Sequence, residues 1–273
     1  MKHELTAEQI GFYREKGYVI IDGFLSAEEL EIWRQCVDEA VSNRADRKLA
    51  DGRIRDGANE YYDRVFIQRI NLWTDHAGMR RLMIDGRLGK MAADLAGVAG
   101  MRIWHDQALI KPPWGNPTAW HLDNPYWSFY SPDAISIWVA LDDATRDNGC
   151  LYFLPGTHKM ATYDNVDIGS NIGDLFAAYP QWHDRVAVAA EMQAGACSFH
   201  NGLLAHGAGA NMTSKYRRAM TCAYMPDGST FNGQQNILTS EQVAGYQVGD
   251  LLDDDAQSPL IYHRSKEYVR YSG

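Results

Sequence analysis

The sequence predicts a mainly β fold, a jelly roll or barrel whose helical first third buttresses one sheet. Three observations predict it. Short β-prone stretches recur after residue 100, at 102–111, 134–141, 150–154, 197–200 and 218–225. Turn signals separate them: Pro112-Pro113, Asn124-Pro125, Ser131-Pro132, Asn148-Gly149, Pro155-Gly156 and Gly195. Many short strands between Gly/Pro turns are the mark of closed or double-sheet β architectures. Before residue 100 the pattern is instead that of capped helices.

In chain order, Thr6-Ala7-Glu8-Gln9 fits a capping box, in which the Thr hydroxyl and the Gln amide satisfy orphan backbone N–H groups. The helix it opens stops near Gly17, and the β-branched run Tyr18-Val19-Ile20-Ile21 follows as a strand. Ser26-Ala27-Glu28-Glu29 is a second capping box, with Leu30, Ile32, Trp33, Val37 and Val41 giving a mostly helical period to about Asn43. Residues 46–60 are polar and rich in Gly and Asp, which predicts a loop, and 86–97 read as helix. Neither an internal repeat nor a linker is visible. The expectation is one domain over 1–273: helical support to 100, β core over 101–230, and a C-terminal extension over 231–273.

Composition excludes several classes. The chain has 273 residues, 45% hydrophobic and 22% charged, with 8 Trp, 15 Tyr and 8 Phe, which rules out an intrinsically disordered or low-complexity chain. A net charge of −9 argues against a nucleic-acid partner, because holding phosphates requires clustered Lys and Arg. The sequence shows no apolar run of about 18 residues, so no spanning helix and no membrane partner are expected. The opening MKHELTAEQ lacks the apolar core of a signal peptide. Cys36, Cys150, Cys197 and Cys222 form no CxxC, and we read them as free thiols of a reducing cytoplasm.

Of nine histidines, one has a carboxylate two residues on, in Trp120-His121-Leu122-Asp123-Asn124. Positions i and i+2 of a strand face one side, so His121 and Asp123 could grip one ion from a strand end. Two histidines and a carboxylate with open positions is the arrangement of non-heme Fe(II) oxygenases. Alone, the HxD fits ordinary turn hydrogen bonds equally well. Context comes from Phe199–Asn211, where His206 precedes small, flexible residues, and from Arg217, eleven residues after His206. An antiparallel neighbour strand could return that guanidinium toward the ion, where it would pair the far carboxylate of an iron-bound dicarboxylate bidentately.

Further stretches point the same way. They are Leu5–Gln9, Gly17-Tyr18-Val19, Gly23-Phe24-Leu25-Ser26, Lys111-Pro112-Pro113, Trp138–Asp143, and Asn148-Gly149-Cys150-Leu151 running into Leu154–Lys159. With the HxD, His206 and Arg217, they make nearly the whole chain resemble the phytanoyl-CoA dioxygenase family of Fe(II)/2-oxoglutarate oxygenases. The resemblance implies a double-stranded β-helix (jelly-roll, cupin-like), with His121, Asp123 and His206 as iron ligands and Arg217 as the 2-oxoglutarate anchor. It implies Fe(II), 2-oxoglutarate and O2 as cofactor and cosubstrates. The implied reaction is hydroxylation of a small molecule with release of succinate and CO2. The alternatives are the same oxidative chemistry ending in desaturation, ring formation or epimerisation, or a non-catalytic binding member. Some members carry a Ser two residues after the distal His; Ala208 stands here, which removes one cosubstrate contact.

His200 competes with His206 as third ligand, and the spacing to Arg217 and the Gly-rich tail favour His206; His200 then reads as a core histidine, with a place lining the site as the alternative. Lys111 and Gln107 share a strand face, and Gln68 and Asn71 lie in a segment that in the family approaches the pocket. Lys111, Gln107 and Gln68 are thus candidate cosubstrate contacts. Trp114, Tyr126 and Trp127, on loops flanking the HxD, are the expected substrate wall. Two segments are candidates to close over the site: 112–117, and 162–182 with its Tyr163, Phe176, Tyr179 and Trp182, whose aromatics fit a partner or dimer surface equally well. A homo-oligomer is compatible with the sequence but not derivable from it.

Overall fold

The computed structural model describes residues 1–52, 61, 64–164 and 166–265. The capping boxes are made as expected. Thr6 opens α1 (Ala7–Lys16), Gly17 ends it in the left-handed conformation, and β1 (Tyr18–Ile21) follows at once. Ser26 caps α2 (Ala27–Arg44). The chain then forms β2 (Ile67–Ile70), α3 (Ala77–Met83) and α4 (Gly86–Ala96). Neither β2 nor α3 was anticipated; the four residues of β2 are too few to show a period. Residues 53–60 of the expected loop and 266–273 of the expected extension lie outside the described residues.

The β core begins with β3 (Gly100–Lys111), β4 (Thr118–His121), β5 (Ile135–Ala140) and β6 (Leu151–Phe153). After a short helix, α5 (Leu175–Ala178), come β7 (Val188–Ala190), β8 (Cys197–Asn201), β9 (His206–Ala208) and β10 (Arg217–Pro226). A further helix, α6 (Ser240–Gly245), precedes β11 (Leu260–His263). One sheet of seven strands runs β1-β8-β5-β10-β3-β11, with β2 also on β3; the second, of four, runs β4-β9-β6-β7. The fold is a double-stranded β-helix of antiparallel sheets.

Alternation along the large sheet sorts its two faces. Ile135, Ile137 and Val139, with Phe199, Met220 and Tyr224, meet Val37, Leu88 and Met91 of the helices. The opposite residues face the small sheet, where Trp138, Ala140 and Ala219 pack with Leu151, Phe153 and Ala208. The helices therefore cover one face of the large sheet, and the other face is left to line a cavity between the sheets. The four cysteines are free thiols.

Candidate metal centre and cosubstrate cavity

His121 and His206 are direct cross-strand partners in β4 and β9, which sets their ring centroids 4.2 Å apart. Each ring is oriented from behind. His121 Nδ1 lies 2.8 Å from the Ala119 carbonyl and His206 Nδ1 lies 2.9 Å from the Leu204 carbonyl. A carbonyl only accepts, so both Nδ1 atoms carry a proton, and both Nε2 atoms are left facing the cluster. Asp123 Oδ1 lies 3.6 Å from His121 Nε2 and 3.7 Å from His206 Nε2. The ligand-capable atoms of all three lie within 4.8 Å of one another.

Asp123 does not sit as strand periodicity predicts. β4 ends at His121, and Asp123 has helical backbone angles (φ −77, ψ −52) at the head of a turn over Asn124–Tyr126. The Gly202 carbonyl, accepting from the Asp123 and Asn124 N–H groups at 3.0 and 2.9 Å, pulls the chain round. The carboxylate is held on its other oxygen: Ser136 Oγ donates to Oδ2 at 3.1 Å, and His200 Nε2 lies 3.3 Å from it. His200 is thus part of the site, against the reading as a plain core histidine. Ser136 was missed altogether; its signal was a lone polar residue in the apolar strand Ile135–Ala140.

The protonation states suit a cation. Burial alone would raise the Asp123 carboxyl, but His206, His121 and His200 outweigh it and hold it well below the ordinary range. Burial and then His121 push His206 down to about 3, so its imidazole is neutral. An ionised carboxylate and a neutral imidazole, as at Asp123 and His206, are forms a divalent metal binds.

Arg217 lies on β10, in the large sheet, and not on a neighbour of β9 as expected; it reaches the cavity across the gap between the sheets. It is 1% exposed, stacked on Trp138 with Cζ 5.1 Å from the ring centroid, and it donates to the Gly149 carbonyl at 3.2 Å. Burial lowers it only to about 10, so it stays cationic. Among the described residues its Nε has no partner and no carboxylate pairs with it. A buried cation with a spare donor fits an anion. Lys111, its register partner on β3, is fully buried, with Nζ donating to the Asn116 carbonyl at 2.6 Å. Gly149 (φ +88) lets the Lys111 stem pass; a Cβ there would come within 2.6 Å of Lys111 Cδ. Thr118, the cross-strand partner of Ala208, lines the cavity with its Oγ1 buried and unpartnered.

The cavity is partly open to solvent. Tyr126 and Trp127 line it, as do Gln68 and Gln107. Trp114 does not: it is 67% exposed, in a left-handed turn (φ +60) that throws the side chain outward. Leu49, Phe66, Ile70, Ile168, Asn236 and Ile237 also line it and escaped sequence reading, because they come from loops and edges remote in the chain. In the 162–182 segment, Tyr179 and Trp182 stack at 3.9 Å and bury themselves against Leu122, Leu154 and Ala205. They anchor the segment, while Ile168 reaches the cavity. Asn165 lies outside the described residues.

The sequence model of the phytanoyl-CoA dioxygenase (PhyH) family matches residues 13–219. A probable phytanoyl-CoA dioxygenase of Caenorhabditis elegans is 28% identical over 249 residues, covering 82% of this chain and 76% of that protein. A methylphosphonate hydroxylase of Gimesia maris is 26% identical over 231 residues, covering 82% of each. Among solved structures, the non-heme alpha ketoglutarate dependent carbocyclase SnoK from nogalamycin biosynthesis superposes with a TM-score of 0.77 at 28% identity, over 94% of this chain and 96% of that one.

Proposed function

The chain belongs to the phytanoyl-CoA dioxygenase family, and from that premise we propose that His121, Asp123 and His206 hold Fe(II), that Arg217 anchors 2-oxoglutarate, and that the outcome is hydroxylation of a small molecule. The chain is a Fe(II)- and 2-oxoglutarate-dependent dioxygenase. We take residues 1–273 as one oxygenase domain. The carrying observation is the pairing of a His-Asp-His cluster in the cavity with a buried, uncompensated Arg217 in the same cavity.

When bound, the iron supplies the coupling of O2 and 2-oxoglutarate to substrate C–H oxidation, with succinate and CO2 released. The protein's part is placement. Three side chains facing one point leave the remaining coordination positions to ligands. Ser136 and His200 hold Oδ2 of Asp123, which leaves Oδ1 facing the two imidazoles. Arg217 neutralises the distal carboxylate of the cosubstrate and sets its direction. The Thr118 hydroxyl supplies the donor that Ala208 cannot; it follows by two residues the Asn116 carbonyl that holds Lys111, the register partner of Arg217. A substrate seated against these walls would exclude water from the centre, which favours reaction of O2 only with substrate in place.

The test is iron-dependent succinate release from 2-oxoglutarate across a small-molecule panel, read with product mass. Alanine at His121, Asp123 or His206 is expected to abolish Fe(II) binding in titration. Arg217→Ala is expected to raise the 2-oxoglutarate requirement by about 2–5 kcal/mol equivalent, the cost of losing a desolvated charge pair. Retention of iron by two or more of the three alanine variants would refute the ligand assignment.

A further inference from the structure

Beyond the iron cluster and Arg217 the cavity has a third wall, carrying Gln68 and Gln107, which the sequence put forward as cosubstrate contacts. On β3, Gln107 stands four residues from Lys111, about 13 Å along the strand. It is also two strands, about 10 Å, from β5, whose Ser136 supports Asp123. Gln107 is therefore set to the side of the line from Asp123 to Arg217. Gln68, from β2 beyond it, donates Nε2–H to Gln107 Oε1. The two amides occupy each other on one atom apiece. Whichever way the pair is flipped, one C=O and one NH2 remain for the cavity.

A third amide faces the same space. Trp104 Nε1–H donates to Asn236 Oδ1 at 3.0 Å. An indole only donates, so the Asn236 orientation is fixed and its NH2 is turned away from Trp104 as a donor. Leu49, Ile70, Tyr126, Trp127, Ile168 and Ile237 line the same cavity and give its wall an apolar surface. Among the described lining residues the only carboxylate is Asp123, and the only cations are Arg217 and Lys48.

We propose that Gln68, Gln107 and Asn236 form a substrate-reading wall for an uncharged molecule, one with an apolar, ring-sized body and carbonyl, amide or hydroxyl groups at its edge. This rests on the oxygenase reading above and names its substrate class. Amide donors and acceptors on an apolar surface select neutral polar groups, because such groups replace their lost water contacts there. A carboxylate or a phosphate-bearing thioester set against these three amides would lose hydration that an uncharged amide does not replace.

The test uses the protein loaded with Ni(II) and 2-oxoglutarate, and calorimetric titration with four naphthalenes: 2-naphthamide, 2-methylnaphthalene, 2-naphthoate and 2-naphthoyl-CoA. The expected result is at least tenfold tighter binding of 2-naphthamide than of 2-naphthoate or the thioester. Gln107→Met and Asn236→Gly should each cut the preference for 2-naphthamide over 2-methylnaphthalene at least fivefold. Binding of 2-methylnaphthalene reports that each variant keeps its cavity. Equal or tighter binding of the anion or the thioester overturns the proposal, as does no binding of 2-naphthamide, or an unchanged preference in both variants. Iron-dependent succinate release by the unaltered enzyme is read separately, so failure of the oxygenase reading is told apart from failure of the wall.

Discussion

Asp123 shows how much chemistry rests on one side chain's two oxygens. Oδ1 looks toward the imidazoles, and Oδ2 is shared between Ser136 and His200. Outer contacts of this kind typically change metal affinity 10–100-fold when removed. His200→Ala is therefore expected to keep Fe(II) but bind it at least about tenfold more weakly, and Ser136→Ala to do the same, measured by anaerobic Fe(II) titration. Lys111 gives a pH signature. Burial and then Arg217 push its ammonium down to about 6, so at neutral pH it is mostly uncharged. A dianion bound at Arg217 favours the charged form, so binding takes up a proton. The sign follows: 2-oxoglutarate affinity falls as pH rises above about 6, by up to about tenfold per unit. Titration calorimetry between pH 6.5 and 8.5 checks this, and Lys111→Arg should flatten the dependence.

At the scale of elements, the segment over 162–182 is less a free flap than an arm pinned along its length, with Tyr179 Oη on the Thr162 and Asp164 carbonyls and Trp120 N–H on the Ile172 carbonyl. Its Tyr179 and Trp182 are buried, and nearer the cavity Tyr126 Oη donates to the Val166 carbonyl at 2.5 Å. One such hydrogen bond is worth about 1 kcal/mol, or roughly fivefold in an opening equilibrium. Tyr126→Phe is expected to raise substrate-free succinate release several-fold and to speed proteolysis within the segment. Unchanged rates in both assays would leave the segment without a closing role. The sequence showed where these aromatics are but not their direction, since nothing in their spacing separates an inward anchor from a lid. The capped helices and the long strands β3, β5, β8 and β10 were legible because caps and β-branched runs are local signals. The strands β2, β7, β9 and β11, of three or four residues, owe their existence to partners far along the chain. For the same reason His121, His206 and Arg217 could be named in advance, while Ser136, Thr118 and Asn236 could not.

Over the whole molecule, the negative charge of −9 and the helix-covered outer face leave the inter-sheet cavity as the place where ligands are read. No described helix is long and apolar enough to cross a membrane. The two sheets contribute unequally: the small one brings His121 and His206, the large one Ser136, His200 and Arg217. Neither sheet alone owns a working centre. An ion held by His121, Asp123 and His206 acts as a latch on assembly, engaged only after β4 and β9, far apart in the chain, have paired. Non-local docking is the slow part of β folding. During refolding, capture of Co(II), read by its visible absorption, should therefore lag the far-ultraviolet signal of the helices. Synchronous traces would place the cluster in an early, local structure. A centre that ripens last keeps a redox metal out of a half-built chain, so the order of assembly itself guards the protein against oxidising its own interior.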